Sequence, residues 1–314
     1  MQHAPAANTT DSRLEVVVIG EALTDIVTSS AGTSEHPGGS PANVAYGLGR
    51  LGVRTGLLTA LGEDSRAEAL RDHLGRANVT VMPESTTLQR TASATVTLAA
   101  DGSANYNFDI EWALDTRKLA RIPRLIHTGS IATFLEPGAQ AVKTLLGNHR
   151  ETSLITYDPN IRPALLGSQG QARETFEEIA SLSHVLKLSD EDALWLYPQL
   201  NLEDIARHLL GTGSRLVVIT RGGNGSLMAT TDLMIEVPSL PSIVVDTIGA
   251  GDSYMAAMIM TLLENDSLVL DEDSLRALGR TASVAAAITV RRAGANPPTS
   301  AELRGLLAAE LRNG

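Results

Sequence analysis

The sequence predicts an α/β protein in which a doubly wound, mostly parallel sheet carries a small inserted β lid. The first observation is a β-branched run, residues 14–19 (LEVVVI), that stops at Gly20 as a buried parallel strand does. The second is that such runs recur in alternation with helix-like stretches, which is typical of a doubly wound sheet. The further runs are 54–61, 125–128, 154–157, 184–188 and 216–220.

Between these runs lie stretches with the spacing of apolar residues that helices show. Several begin with a residue that caps helix N-termini and end at Gly, Asn or Pro. They predict helices over residues 41–51, 65–76, 138–148, 171–181, 190–197, 202–210, 252–264 and 273–290.

Two stretches break this rhythm and predict the lid. One is about 22–36, and the other is about 89–112, which alternates on both sides of Asp101-Gly102, a dipeptide that favours a hairpin turn. Antiparallel pieces inserted between parallel units suggest a lid, whereas two ordinary surface hairpins would give the same pattern. Both interpretations are kept at this point.

Composition limits the classes of function. The 314 residues carry 25 Lys and Arg against 36 Asp and Glu, a net charge of −11 that disfavours nucleic acid as a partner. The absence of cysteine excludes disulfides, thiolate catalysis and Cys-based metal sites. With no secretory signal and no apolar run near the ~20 residues that span a bilayer, we expect a cytoplasmic protein without a membrane partner. We expect a disordered tail at 1–13 and one α/β domain at 14–314.

The most informative segment is residues 244–260 (VVDTIGAGDSYMAAMIM). It predicts a strand that leads through a Gly-Ala-Gly turn into an apolar helix. The glycines permit close approach of a ligand, and the free amides of a first helical turn bind anions. Asp252 stands where the helix begins, so it is either an N-cap or a catalytic carboxylate. Taken alone, the segment leaves this choice open.

A second segment, residues 37–43 (PGGSPAN), offers another glycine turn before a helix that carries an Asn. Residues 47–52 (GLGRLG) match the pattern of a dinucleotide-binding turn. That pattern requires a strand before it and a helix after it, whereas here it ends a helical run. The hypothesis of a nicotinamide-dependent oxidoreductase depends on this misplaced match alone. We interpret the small residues of the pattern as positions where helices pack closely.

Residues 38–52 (GGSPANVAYGLGRLG) and 246–258 (DTIGAGDSYMAAM) together resemble the paired signatures of the ribokinase-like (PfkB) carbohydrate kinases. Further matches run along nearly the whole chain. Residues 158–163 (DPNIRP) and 292–298 (RAGANPP) are most similar to the fructokinase-type members. The resemblance implies a ribokinase-like fold that transfers the γ-phosphoryl group of ATP to a sugar hydroxyl.

The resemblance also implies roles for residues of the GAGD turn. Asp252 would be the base that accepts the hydroxyl proton. The amides of Gly249, Ala250, Gly251 and Asp252 would form an anion hole for the moving phosphoryl group. A helix N-terminus by itself would make a carboxylate a weaker base, because the dipole favours its charged form.

For the substrates, the resemblance implies two groups of ligands. Sugar hydroxyls would be held by Asp25, Gly38, Gly39, Asn43 and Arg162. The nucleotide would be held by Thr220, Gly222, Gly225 and Asn296. The expected partners are therefore a small sugar and ATP.

Metal ions are implied in the same way. Mg²⁺ is expected with the ATP, and many members also hold a monovalent cation, for which K⁺ is the candidate, around Asp246 and Ile248. Many members carry an N-x-x-E motif where this chain has Ser-Asp-Glu-Asp at 189–192. The resemblance still implies that Glu191 helps to bind the metal, but the sequence departs from the family motif at this place because Ser189 stands where the motif has Asn.

Within the family, a 2-keto-3-deoxygluconate kinase or a nucleoside kinase is the alternative to a fructokinase. A substrate acid needs a cation in the pocket, so contact of Arg90 with the ligand would favour the former. A non-catalytic sugar-binding relative is a further alternative, against which the intact GAGD turn argues. Exposed sheet edges on the lid would allow a homodimer.

Overall fold

A computed structural model describes residues 14–29, 32–98, 104–115, 119, 121–264 and 270–313. The predicted tail at 1–13 and the predicted turn at Asp101-Gly102 lie outside these residues. None of the helices in the described ranges is both long and apolar enough to cross a membrane.

The strands alternate with helices along most of the chain. In chain order the strands are β1 (Val16–Ile19), β2 (Leu23–Ser29), β3 (Gly32–Gly38), β4 (Thr55–Leu58), β5 (Ala60–Leu61), β6 (Thr80–Val81), β7 (Thr86–Thr87), β8 (Ser93–Leu98), β9 (Ala104–Asp109), β10 (Leu125–Gly129), β11 (Leu154–Asp158), β12 (Val185–Ser189), β13 (Leu216–Thr220), β14 (Ser226–Ala229) and β15 (Met234–Val237). The helices are α1 (Ser40–Arg50), α2 (Ser65–Gly75), α3 (Gly138–His149), α4 (Gln169–Leu182), α5 (Asp190–Leu196), α6 (Leu202–Gly211), α7 (Ala250–Glu264), α8 (Glu272–Thr289) and α9 (Ser300–Asn313).

The large sheet has the strand order β15-β14-β13-β12-β11-β10-β1-β4-β6. All neighbours from β13 to β6 pair in parallel, and only β14 and β15 are antiparallel. Because strand order reverses beside β1, the carboxyl ends of the central strands open a crevice of the kind in which ligands bind. The predicted doubly wound, mostly parallel sheet is confirmed.

Helices cover both faces of this sheet, and β1 shows why. Its side chains alternate: Val16 and Val18 pack with α1, α2, α7, α8 and α9, whereas Val17 and Ile19 pack with α3, α4, α5 and α6. A strand buried on both faces must be apolar throughout, which is how residues 14–19 were recognised.

A second, four-stranded sheet has the order β3-β2-β8-β9. Its hairpins come from the two stretches that interrupt the βα rhythm, and they join through a parallel pairing of β2 with β8. The two stretches therefore form one sheet and not two separate surface hairpins. Opening and closing of this sheet as a lid stays a prediction.

Several elements differ from the sequence prediction. No strand forms at Val244 and Val245, which are 59% and 63% exposed. Their segment is instead held by the end of α8, where Val290 O accepts hydrogen bonds from the N–H groups of Val245 and Asp246. The predicted strand 54–61 divides into β4 and β5, and β14, β15 and α9 were not predicted.

The small residues of the misplaced dinucleotide pattern lie in α1, as interpreted. A Cβ on Gly47 would lie 3.0 Å from the Cβ of Ala256 in α7, and one on Gly49 would lie 2.2 Å from Ala77 O. Close packing of α1 against α7 therefore explains Gly47, and close packing against the segment after α2 explains Gly49. The packing against α7 also brings the start of α1 beside the start of α7.

Candidate active site

Two adjoining cavities open at the carboxyl ends of the central strands. The first, about 430 Å³, is the more polar of the two and lies under the four-stranded sheet. The second, about 560 Å³, is mainly apolar and lies between β13 and α8. Thr247 and Gly251 line both cavities, so the first turn of α7 stands at their junction. We call them the polar cavity and the apolar cavity.

Asp252 lies at this junction and is held by two side chains from α1. Ser40 Oγ donates to Asp252 Oδ1 at 2.6 Å, and Asn43 Nδ2 donates to Asp252 Oδ2 at 2.9 Å. Because α7 begins at Ala250, Asp252 is not the N-cap of the helix. The N-cap interpretation of this residue is therefore wrong.

The electrostatics of Asp252 differ from the expectation based on the helix dipole alone. Burial raises the pKa of the Asp252 carboxyl, and this outweighs the hydrogen bonds from Ser40 and Asn43 and the charge of Lys187, which lower it. A carboxylate with a raised pKa is a better general base near neutral pH.

Most of the backbone amides around Asp252 have no hydrogen-bond acceptor among the described residues. Gly249 has φ +74°, and the N–H of Ala250 donates to Thr247 O at 3.2 Å. Across the part of the chain that the structure describes, no hydrogen-bond acceptor takes the N–H groups of Gly249, Gly251 or Asp252. Three of the four amides expected in the anion hole are thus open to a ligand, and that of Ala250 is partly engaged.

The predicted sugar ligands converge on the polar cavity. Asp25, Gly39, Asn43 and Arg162 line it. Gly38 lies behind Asp25, since a Cβ on Gly38 would stand 2.1 Å from Asp25 Oδ2. Glycine at this position therefore leaves the space that the Asp25 carboxylate occupies.

Arg162 is positioned by its own loop. Its Nη1 donates to Asn160 Oδ1 at 2.8 Å and to Ile161 O at 3.0 Å. Burial raises the pKa of the Asp25 carboxyl, and the charges of His36 and Arg162 oppose that rise. The polar cavity thus holds acceptor and donor groups of the kind that orient sugar hydroxyls.

The sequence analysis did not single out Glu21, which lies just beyond β1 and lines the polar cavity. Its Oε2 accepts a hydrogen bond from the N–H of Ala132 at 3.2 Å. Burial, with a smaller contribution from the charge of Asp252, raises the pKa of Glu21 to about 8. An isolated Glu beside a Gly carries no sequence signal that would predict such burial.

We expect Glu21 to make stability depend on pH. Between the ordinary pKa of 4.5 and the folded pKa of about 8, the folded chain holds a proton that the unfolded chain releases. Its contribution is therefore complete below pH 4.5 and is lost as pH rises toward 8, by up to about 1.4 kcal/mol per pH unit. Urea unfolding at pH 6 and pH 8 should show a smaller loss in Glu21→Gln than in the wild type. Parallel losses would contradict the assignment.

The apolar cavity contains most of the predicted nucleotide ligands. Thr220, Gly222 and Gly225 line it at the end of β13. Gly225 has φ +83°, and a Cβ there would stand 2.1 Å from Val237 O, so the turn requires glycine. Asn296 does not line this cavity, because its turn folds back on itself through a hydrogen bond from Asn296 N–H to Gly294 O. The small side chains of α8, including Ala286, line the cavity wall instead.

The predicted metal residues are more dispersed. Asp246 Oδ1 accepts from the N–H of Ile248 at 3.0 Å and Oδ2 from that of Gly294 at 2.8 Å, which lowers the pKa of its carboxyl. Glu191 is exposed and does not line either cavity, whereas Asp192 accepts from the N–H of Ile161 at 3.0 Å. Asp192 also lines neither cavity, but unlike Glu191 it lies near enough to Asp158 and Lys187 for its charge to raise the pKa of both.

No cluster of three or more His, Asp or Glu side chains suited to a metal occurs in the described ranges. This donor set fits Mg²⁺ only as an ion held mainly by the phosphates of a nucleotide, since Mg²⁺ retains waters and takes one or two carboxylates. Asp158 fits such a role: its Oδ1 is buried and has no hydrogen-bond partner among the described residues.

The chain was compared with known proteins. The model for "pfkB family carbohydrate kinase" matches residues 13–302. A fructokinase from Rhizobium leguminosarum bv. trifolii is 32% identical over 279 residues, which cover 83% of this chain and 85% of the relative.

Solved structures give the same fold. A fructokinase with bound ATP from Xylella fastidiosa has a TM-score of 0.84 and 24% identity, over 94% of this chain and 99% of the other. A double mutant of fructokinase from Vibrio cholerae O395, with fructose, ADP and potassium ion bound, has a TM-score of 0.82 and 22% identity, over 94% and 98%. The ribokinase-like fold expected from the sequence is confirmed.

Proposed function

The chain belongs to the pfkB family of carbohydrate kinases, and from that membership we propose that it is a fructokinase with Asp252 as its catalytic base. It phosphorylates a sugar with ATP as the phosphoryl donor. The choice of fructose and the roles of the residues are the proposal.

One observation carries the assignment of roles: Asp252 lines the polar cavity directly beside Gly251, which lines both cavities. The polar cavity suits a sugar, since it presents Asp25 and Arg162 to hydroxyl groups. The apolar cavity suits a purine ring, with Gly222 and Gly225 allowing backbone to approach the nucleotide. A phosphoryl group that passes from one cavity to the other must cross the first turn of α7.

In the proposed reaction the sugar hydroxyl lies beside Asp252, which accepts its proton as the oxygen bonds to the γ-phosphorus. The bond from phosphorus to the bridging oxygen breaks, and ADP leaves. The amides of Gly249, Gly251 and Asp252 stabilise the charge on the phosphoryl oxygens during transfer. The raised pKa of Asp252 supports its role as base, and Ser40 and Asn43 hold its carboxylate in place.

Mg²⁺ is proposed as the partner of ATP, where it would neutralise charge on the phosphates. Asp158, which lines the polar cavity and whose Oδ1 has no partner among the described residues, is the carboxylate best placed to reach its waters. For K⁺, the proposal rests on Asp246 and Ile248, whose segment joins the last loop through the bond from Gly294 N–H to Asp246. The carboxylate of Asp246 organises this loop, so its backbone oxygens would provide the cation ligands.

The position of Arg90 removes one argument for an acidic sugar in place of fructose. Its guanidinium lies 3.4 Å from the carboxylate of Asp109, is exposed and does not line the polar cavity. The contact of Arg90 that would favour 2-keto-3-deoxygluconate is therefore not formed, although Arg162 and Lys187 are cations that line the polar cavity. The fructokinase-named relative at 32% identity supports the choice of fructose.

The experiment that tests the proposal is ADP release coupled to a dehydrogenase, with fructose, ribose, 2-keto-3-deoxygluconate, adenosine and inosine as acceptors. We expect the highest kcat/KM for fructose. A higher value for another acceptor would overturn the choice of sugar. Absence of turnover with all five and with a wider sugar panel would support the non-catalytic relative instead.

We expect Asp25→Asn to raise KM for the sugar at least about tenfold, because a charged acceptor of hydroxyl hydrogen bonds is lost. The KM for ATP should change little, since Asp25 lines only the polar cavity. Steady-state kinetics with each substrate varied in turn would measure both values. An equal rise in both KM values would contradict a specific sugar contact.

The homodimer through the lid and the cytoplasmic location stay predictions. The four-stranded sheet ends in β3 on one side and β9 on the other, and such edges can pair with another copy. Sedimentation of the purified protein would measure the oligomeric state.

A further inference from the structure

The buried ion pair of Lys187 and Asp158 lies at the floor of the polar cavity. Lys187 Nζ is 2.7 Å from Asp158 Oδ2, and the two side chains are 6% and 2% exposed. Both residues come from the carboxyl ends of neighbouring parallel strands, β12 and β11, whose register pairs Tyr157 with Leu186. The pair is therefore fixed by the sheet and not by a mobile loop.

Stability does not explain a buried ion pair at this position. Removing two charges from water costs several kcal/mol per ion, and apolar residues of similar size often serve a core equally well. The neighbouring side chain on the same face of β12, Val185, is apolar and fully buried. The chain thus maintains a charge where its sheet could have continued an apolar surface.

Lysine is rare in this chain, so its presence in the ion pair calls for a reason. Of the 25 basic residues only three are lysine, namely Lys118, Lys143 and Lys187. The chain uses arginine at every other Lys or Arg position. A lysine provides a compact charge with three donors that can point in different directions, whereas arginine presents a planar fork. A site that must reach Asp158 and a second anion at once suits lysine.

The ammonium group of Lys187 lies where a second anion, in addition to Asp158, would bind at the first turn of α7. A Cβ built on Gly251 would lie 3.1 Å from Lys187 Nζ, so the ammonium touches the first turn of α7. Burial opposes its charge, but the carboxylates of Asp158, Asp252 and Asp192 outweigh burial and raise the pKa of Lys187. The nearby His127 stays neutral, because burial and the charge of Lys187 lower its pKa to about 3.

The ammonium group also lies on one particular side of the junction. Lys187 lines the polar cavity and not the apolar one, whereas Gly251 lines both. A nucleotide in the apolar cavity therefore meets the amides of the α7 turn first. The phosphoryl group meets the ammonium as it moves toward the sugar, so the contact strengthens during transfer. Interactions of this kind raise kcat and not ground-state affinity.

We propose that Lys187 is a catalytic residue whose ammonium binds the phosphoryl group in transit, and that Asp158 positions it. This inference rests on the proposed kinase reaction and adds a cation to its anion hole. As Asp252 takes the proton and phosphorus bonds to the sugar oxygen, Lys187 donates hydrogen bonds to phosphoryl oxygens without itself losing a proton.

The first test is Lys187→Met, which removes the charge and keeps the length of the side chain. We expect kcat to fall about a hundredfold, as when one donor is removed from an oxyanion hole, while KM for ATP changes less than about threefold. Lys143→Met is the matched control, because Lys143 is an exposed lysine of α3 paired with Glu178. It should retain wild-type kinetics.

A double variant distinguishes a catalytic role of Lys187 from a role in neutralising the buried charge of Asp158. Lys187→Met alone leaves Asp158 buried and unpaired, which can lower stability by itself. Lys187→Met with Asp158→Asn removes both charges and should recover much of the thermal stability. We expect its kcat to be no higher than that of Lys187→Met, because the phosphoryl contact is still missing and the carboxylate proposed to reach the Mg²⁺ waters is also lost. Recovery of kcat to within about threefold of the wild type would overturn the proposal and leave Lys187 a structural partner of Asp158.

A measurement on the unmodified protein does not depend on how these variants fold. Selective ¹⁵N labelling of the three lysines gives few side-chain ammonium signals, and Lys118→Arg and Lys143→Arg assign the two that do not belong to Lys187. Adding Mg²⁺, ADP and aluminium fluoride, a mimic of the moving phosphoryl group, should shift the Lys187 signal further than Mg²⁺ and ADP alone. Equal shifts in the two states would contradict contact with the phosphoryl group.

These outcomes distinguish this inference from the proposed function. If the wild type phosphorylates no sugar in the ADP-release assay, the proposed function fails, and the ammonium signal still reports whether Lys187 meets a phosphoryl mimic. If the wild type turns over a sugar but Lys187→Met keeps its kcat, only the inference about Lys187 fails.

Discussion

Replacing Asp252 with Asn is expected to lower kcat for the best sugar by about a thousandfold, within the range that a positioned general base contributes. The amide cannot accept the hydroxyl proton. The fold should tolerate the change, because Asn keeps one oxygen to accept from Asn43, and the hydroxyl of Ser40 can turn to accept from the new amide. Single-turnover and steady-state kinetics would measure the loss, and thermal unfolding would test the fold.

Asp232→Asn is the matched control for this loss, because Asp232 is an exposed carboxylate in the turn between β14 and β15. It should leave both kcat and stability unchanged. If Asp252→Asn retained kcat within about threefold of the wild type, another group would have to be the base.

The second large effect is expected for Gly249→Ala. Gly249 has φ +74°, a region that side-chain-bearing residues rarely adopt, and a Cβ there would lie 2.7 Å from the Cβ and 2.8 Å from the Cα of Ala295. The Ala295 backbone cannot move aside as a flexible side chain could, so the turn must shift and the amides of Gly249 and Gly251 lose their orientation. Because each oxyanion donor is worth a hundredfold or more, we expect kcat to fall by about a thousandfold.

Gly147→Ala gives the control for a glycine substitution as such. Gly147 lies in α3, where a Cβ would meet open space. Alanine there should raise the unfolding free energy by about 0.5–1 kcal/mol and leave kcat unchanged. Wild-type kcat in Gly249→Ala, with the protein folded, would show that the turn contributes no anion hole.

The fold was largely predictable because its main signals are local. The buried strands of a parallel sheet are apolar throughout, and residues 14–19 and 216–220 show this directly in their composition. The exceptions have physical reasons. The β-branched pair Val244 and Val245 has strand propensity, but it bonds to the end of α8 and has no strand beside it. Propensity alone does not provide a partner strand.

The site was predictable where glycine and short polar motifs mark it. Gly39, Gly225 and Gly249 each have a positive φ, which is a backbone requirement that the sequence reports directly. Asn296 and Glu191 were assigned through their motifs and lie outside both cavities. A motif gives the neighbourhood of a residue along the chain, but the path of the turn decides which of its side chains faces a cavity.

The sequence by itself thus determined the class of sheet, the helix that carries Asp252, and the kinase family. Only the tertiary structure decided what surrounds that carboxylate. Ser40 and Asn43 reach it across more than 200 residues because Gly47 lets α1 pack closely against α7. In the sequence, Lys187 is only a single charged residue within an apolar strand. The register of β12 against β11 places it beside Asp158. The charges around the reacting atoms therefore depend on which strands and helices pack together, which the order of residues along the chain does not show.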